Sequence, residues 1–144
     1  MSDNANDTIY AVATPPGRSA IAVIRISGRN AAKTPVLFSV SCPALGQFNV
    51  SRLMQAGKVL DQVILLFMKG PHSSTGEDVC EIHCHGSRAV IDAIMAQLER
   101  ASGFRLAAPG EFTRRSFSNG KMDLSAVEGL ADLIDAQTPA QLHQ

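Results

Sequence analysis

The chain has no excess of charge of either sign: 13 Lys and Arg stand against 13 Asp and Glu. No global basic field therefore advertises a grip on a phosphate backbone. Cysteine is scarce and odd in number, with only Cys42, Cys80 and Cys84. Without a signal peptide this reads as reduced thiols in a soluble, cytoplasmic protein rather than as a disulfide framework. The polar, acidic opening MSDNANDT is the opposite of a targeting segment. The longest apolar run, 63–68, is far too short to cross a membrane. No GxxxxGKS or GxxxxGKT phosphate loop occurs and no GxGxxG follows a strand, so these residues show no means of holding a nucleoside triphosphate.

What is there suits one ordinary globular domain. Hydrophobic residues make up 45% of the 144 and charged residues 18%, enough to bury a core without disulfides. Residues 1–7 read as a flexible leader, 8–137 as the domain, and 138–144 as the start of a truncated helical domain. Thr138, Pro139 and Gln141 suit the N-cap, N1 and N3 positions, and a helix of one turn is not stable alone.

Residues 8–13 and 20–27 read as strands, separated by the turn Thr14-Pro15-Pro16-Gly17 that delivers Arg18. In the second strand Ile21, Val23, Arg25 and Ser27 point one way; Ala22, Ile24 and Ile26 point the other. A helix is expected over 30–40, cut into by Pro35. Residues 48–54 and 59–68 form a hairpin, and the unbroken apolar run 63–68 predicts a strand buried on both faces. Ile91, Ile94, Met95 and Leu98 give 89–101 one apolar helix face, closed by Gly103. A short strand follows over 104–107. Pro109 opens a short helix with Glu111 in its first turn, and Asn119-Gly120 ends it, leaving Lys121 in a turn. Ser125 and Glu128 form a capping box for a further helix.

The densest chemistry lies in 73–87, SSTGEDVCEIHCHGS. Alternation over 79–85 sends Cys80, Ile82 and Cys84 to the core and Glu81, His83 and His85 to the other face. Three ionisable groups on one strand face are hard to bury without partners, so they line a cleft or face water. Glu-x-His-x-His has the ligand types for zinc, but same-face residues about 6.5–7 Å apart along a strand converge on one ion only awkwardly. Neither thiol has a mark of exposure or electropositive surroundings. Arg25 is a charge within an apolar strand, either snorkelling its stem over the sheet or placed to grip a carboxylate; both readings stay open. The remaining hypothesis is a pocket lined by Glu81, with Arg25 and Lys121 as basic partners for an acidic small molecule.

Three stretches carry a further signal. DTIYAVATPPGRSAIAVIRISG, GPHSSTGEDVCEIHCHGS and APGEFTRRSFSNGKMDLSAVEGLADLIDAQT, in that order, strongly resemble the N-terminal domain of the tRNA-modification GTPases (MnmE, also called TrmE). The resemblance implies an α+β fold, a mixed β-sheet with packed helices similar to the folate-binding aminomethyltransferases of the glycine-cleavage system. It implies a module that binds formyl-tetrahydrofolate and forms a homodimer. GTP, potassium and magnesium would belong to a GTPase domain lying outside these residues. With a flavin-dependent partner (MnmG, also called GidA), members of this family add an aminomethyl-type group to carbon five of the wobble uridine in tRNA. No membrane is involved, and this segment alone is expected neither to hydrolyse GTP nor to modify tRNA.

Carried over by motif, the family's folate-binding positions are Arg25 in RISG, Glu81 in CEIHCH and Lys121 in NGK; no catalytic residue and no metal ligand is implied here. A pterin's ring N–H and amino group suit a carboxylate acceptor, and the anionic glutamate tail suits Arg25 or Lys121. Ser19 and Ser87 stand where the family has glycine, which serves positive φ or close approach, so the loops there are expected to differ. Two other readings remain: a free-standing folate-dependent aminomethyltransferase, and a structural dimerisation module that has lost folate binding.

Overall fold

Alternation of apolar and polar residues builds six strands into one sheet, ordered β3-β4-β5-β2-β1-β6. The computed structural model describes residues 6–14, 20–44 and 47–121. The expected turn at Pro15-Pro16-Gly17, Arg18, Ser19, the Ser125–Glu128 capping box and the helix start at Thr138 lie outside the described residues. The strands are β1 (Thr8–Val12), β2 (Ile21–Ser27), β3 (Phe48–Gln55), β4 (Lys58–Met68), β5 (Val79–His85) and β6 (Phe104–Leu106). Every neighbouring pair is antiparallel except β1 with β6, which is parallel. The sheet is mixed and the class α+β.

Among the described residues three helices accompany it: α1 (Thr34–Leu37), α2 (Arg88–Glu99) and α3 (Glu111–Ser118). The inner face of the sheet, with Ile24, Ile26, Leu65 and Ile82 fully buried, packs with Ile94 and Leu98 of α2 into the core. The predicted alternation of β2 and β5 holds. Cys80 and Cys84 are buried on the inner side, and burial pushes their thiols up to about 12 and about 11, so neither is a nucleophile. None of the helices among the described residues is long and apolar enough to cross a membrane.

Several local expectations need correction. Residues 30–40 form a 3-10 turn, Ala31–Lys33, followed by the single turn of α1, because Pro35 fits only the first helical turn. Within 63–68 only alternate residues are buried: Val63, Leu65 and Phe67 are 5% exposed or less, whereas Ile64 is 36% exposed. Helices cover the inner face of β4; its outer face carries apolar side chains into the open. Pro109 precedes α3 rather than entering it, and Gly110 is the N-cap, with φ of 75°. Ser87 sits at φ −80° and its hydroxyl accepts from the Val90 N–H as the N-cap of α2. That backbone suits any residue, and serine caps better than glycine.

Candidate functional site

The outer face of the sheet divides into a closed end and an open end. At the closed end, α3 and the 69–78 loop lie over the row formed by Arg105, Ile9, Ser27 and Val79, which face one another in register. The PGEFTRRSFSNGK stretch clamps the SSTGED stretch. Ser116 donates to the Ser74 carbonyl (2.8 Å), Asn119 Nδ2 donates to the Thr75 carbonyl (2.8 Å), and Arg115 donates to Glu77 (3.1 and 3.2 Å). Ser27 donates to Glu77 Oε1 and lies 2.7 Å from Thr75 Oγ1. Gly76 has φ of 83°, and a Cβ there would stand 2.6 Å from the Asn119 Cβ; the clamp closes only over glycine.

Glu111 anchors this end. Its carboxylate accepts a bidentate pair from Arg105 (2.8 and 2.6 Å), the Ala108 N–H (2.9 Å) and Arg115 (3.2 Å). The Arg105 bonds, outweighing burial, hold its carboxyl down at about 2, and the pairing pushes the Arg105 guanidinium up. Arg105 Nε also reaches Asp7 (3.0 Å). Sequence reading had Glu111 only as a first-turn helix acid; its bidentate partner Arg105 lies 6 residues away in β6, and Arg115, which it shares, is tied to Glu77 38 residues before Arg115 in the loop, which local pattern does not report.

At the open end, antiparallel register sets Arg25 of β2 directly opposite Glu81 of β5, 56 residues apart in sequence. Arg25 Nε donates to Glu81 Oε2 (2.8 Å), and His83 Nε2 lies 3.0 Å from Glu81 Oε1. Burial works to raise the Glu81 pKa, but the hydrogen bonds from His83 and Arg25 outweigh it and hold the carboxyl below its usual range. The side chains are only partly covered, 32% exposed for Arg25, 15% for Glu81 and 29% for His83. This is an ionised acceptor held on both oxygens with lone pairs to spare, facing outward beside a guanidinium that has no second partner among the described residues. Such a group can accept the paired N–H donors of a planar heterocycle.

Lys121 is not joined to this pair. Its Nζ donates to the Pro71 carbonyl (2.9 Å) on the loop that α3 clamps. The structure thus brings two of the three predicted residues into contact and leaves the third on the neighbouring loop. His85, the last of the EIHCH face, pairs with a residue that sequence reading missed. Asp61 Oδ1 lies 2.7 Å from His85 Nδ1, and Asp61 Oδ2 accepts the His85 backbone N–H (2.8 Å). Paired residues of β4 and β5 end at Ile64 and His83, so Asp61 takes over the next N–H. The histidines are thus engaged by different carboxylates, and among the described residues no three His, Cys, Asp or Glu side chains are placed to hold one metal ion.

Beside the Glu81 cluster lies a depression of about 330 Å³ lined by Ile21, Val50, Gln62, Ile64, His83 and His85, among others. Its apolar rim continues onto Phe48; Ile21, Phe48 and Val50 are each more than half exposed.

Comparison with known proteins follows the same residues. The family model described as the GTP-binding protein TrmE N-terminus matches residues 8–121. The chain is similar to the tRNA modification GTPase MnmE of Dinoroseobacter shibae, 46% identical over 139 residues, which cover 96% of this chain and 32% of the relative. The same-named protein of Caulobacter vibrioides is 48% identical over 138 residues (96% and 31%), and that of Roseobacter denitrificans 49% over 141 residues (96% and 32%). The chain spans about a third of the length of these curated relatives.

Proposed function

The chain belongs to the TrmE N-terminus family, and from that premise we propose that it is the folate-binding and dimerisation module of a tRNA-modification GTPase. In this reading Glu81 accepts the paired N–H groups of the pterin of formyl-tetrahydrofolate, and Arg25 and Lys121 supply positive charge for its anionic parts. The observation that supports it is the outward-facing Arg25–Glu81 pair, whose carboxylate is ionised and only partly covered. When bound, the folate supplies a one-carbon unit; the residues of this chain bind it, orient it and keep Glu81 in its acceptor form.

The whole protein, with its flavoprotein partner MnmG, adds an aminomethyl-type group to carbon five of the wobble uridine in tRNA. GTP, potassium and magnesium belong to the two thirds of the relatives' length that this chain does not span. The module is related in fold to the aminomethyltransferases, works in the cytoplasm, and pairs with a second copy. The exposed outer-face residues Ile21, Phe48, Val50 and Ile64 supply an apolar surface of the kind that pairing covers.

Calorimetric titration with formyl-tetrahydrofolate tests the pocket. Saturable binding is expected in the unmodified chain, with affinity reduced at least about tenfold in Glu81→Ala, the loss of charge-assisted hydrogen bonds. No binding to the unmodified chain, or equal binding to the variant, overturns the assignment. A second reading, a dimerisation platform without folate binding, is favoured by the engagement of both Glu81 oxygens by Arg25 and His83. It predicts a dimer in light scattering and a silent titration.

A further inference from the structure

The opposite side of the sheet holds a groove that the Glu81 site does not use. It runs between α2, through Asp92, Met95, Ala96 and Glu99, and the edge of the sheet, through Tyr10, Phe104, Arg105 and Leu106, with a volume of about 670 Å³; the Arg105 guanidinium at its border is already paired with Glu111 and Asp7. Positions 92, 95 and 99 fall on one helix face. Tyr10 lies opposite Ile26 of the core, while its neighbour Ala11 lies opposite Arg25, so the groove opens on the face away from the Arg25–Glu81 pair. A half-open apolar groove of this size with a few polar groups is the usual form of a small-molecule site.

Tyr10 and two acids mark its chemistry. Tyr10 is 4% exposed and lines the groove, yet its hydroxyl has no hydrogen-bond partner among the described residues. Among the described residues the fully enclosed side-chain atom lacking a partner is Thr34 Oγ1, so the Tyr10 hydroxyl is reached from the groove. Burial first, and the charge of Glu99 second, push the phenol up, which keeps it protonated. Asp92 and Glu99 are exposed, and neither has an ion-pair or hydrogen-bond partner among the described residues. Glu99 closes α2, so its carboxylate stands at the negative end of the helix dipole, while the C-cap Arg100 turns its guanidinium to Gln97.

We propose that this groove binds a small organic cation, its apolar body on Met95, Phe104 and Leu106 and its ammonium group donating to Glu99 and to the Tyr10 hydroxyl oxygen. Asp92, about 10 Å from Glu99 along the helix axis, adds to the negative field. The ligand compensates the charge of Glu99 and gives the Tyr10 hydroxyl a partner. The site stands independently of the folate reading, since it shares no residue with it.

Three probes of one shape test this by NMR titration of the 144-residue chain: 4-phenylbutylammonium, the neutral 4-phenylbutan-1-ol and the anionic 4-phenylbutyrate. Shifts are expected to cluster at Tyr10, α2 and β6, with the ammonium binding about fivefold more tightly than the alcohol, a partly exposed charge contact, and the carboxylate most weakly. Glu99→Gln removes the preference for the cation while leaving the alcohol unchanged, and Tyr10→Phe weakens the ammonium about threefold, as expected for one hydrogen bond. Equal affinity for ammonium and alcohol, no saturable shifts, or shifts clustered at Arg25 and Glu81 overturn the proposal. The ranking of the three probes on the unmodified chain decides the matter even where a variant fails to fold.

Discussion

Two ion-paired clusters share the outer face of one sheet and are built to opposite ends. Around Glu111 the network is saturated. Glu111 and Arg115 are 8% exposed at their side chains, and the carboxylate accepts bonds from two arginines and a backbone N–H. Around Glu81 the carboxylate also has two partners, but Arg25 is 32% and His83 29% exposed and the cluster faces outward. Saturation fixes a loop to a helix and leaves nothing to offer a ligand. Partial exposure costs stability and keeps binding capacity. The first cluster is therefore read as architecture and the second as a site, and the distinction can be broken by measuring both.

The largest effect is expected at Glu111. Glu111→Gln removes the anion that Arg105 and Arg115 share; each guanidinium keeps a second carboxylate, Asp7 and Glu77, so the cost is that of the lost charge-assisted bonds, about 1.5–3 kcal/mol, a sizeable part of a domain's whole stability. Urea unfolding measures it; a loss below about 1 kcal/mol, the range of exposed pairs, would place this network with the surface pairs.

Acid titration sharpens the same point. The Glu111 carboxyl is held at about 2 against an ordinary 4.5, so its contribution is present above the unfolded value and is lost as the pH falls from there toward 2. By linkage the loss amounts to about 3 kcal/mol. The acid limb of the stability curve should flatten in Glu111→Gln; an unchanged limb would assign acid sensitivity to other carboxylates.

Much of this was legible from local pattern. Period-two alternation grouped Arg25 with Ile21, Val23 and Ser27 on one face of β2, and in β5 put the cysteines in the core with Glu81 on the other face, as observed. The contact between Arg25 and Glu81 was not legible, because antiparallel register is a property of two strands and neither reports it alone. Asp61 escaped for the same reason, and Glu111 looked like a helix-terminus acid because its partner Arg105 lies on a strand. The run 63–68 misled because continuous apolarity reports what could be buried; which face a helix covers is decided elsewhere in the chain. Ile64, which that run leaves exposed, is one of the residues proposed to meet a second copy.

At the site itself stability should hardly move. Glu81→Gln is expected to cost under about 1 kcal/mol, since its pair with Arg25 is partly exposed and screened, while removing the affinity for formyl-tetrahydrofolate. A large stability loss would move Glu81 to the architectural class.

The smallest effect falls on Asp61. Its carboxylate holds the His85 imidazole and backbone N–H, but the imidazole is 70% exposed. Asp61→Asn keeps one carbonyl oxygen for the backbone N–H and loses the charge and the second acceptor at the exposed imidazole, so about 0.5 kcal/mol is expected in urea unfolding. The side chain of Asp61 is itself only 10% exposed, nearly as covered as Glu111, and that makes the comparison sharp. If burial of the acid alone set the cost, Asp61→Asn and Glu111→Gln would rank together. If the cost follows the number of partners lost, Asp61→Asn loses one solvated imidazole and Glu111→Gln two guanidiniums, each of which keeps a second carboxylate in Asp7 or Glu77, and the two variants separate by several-fold.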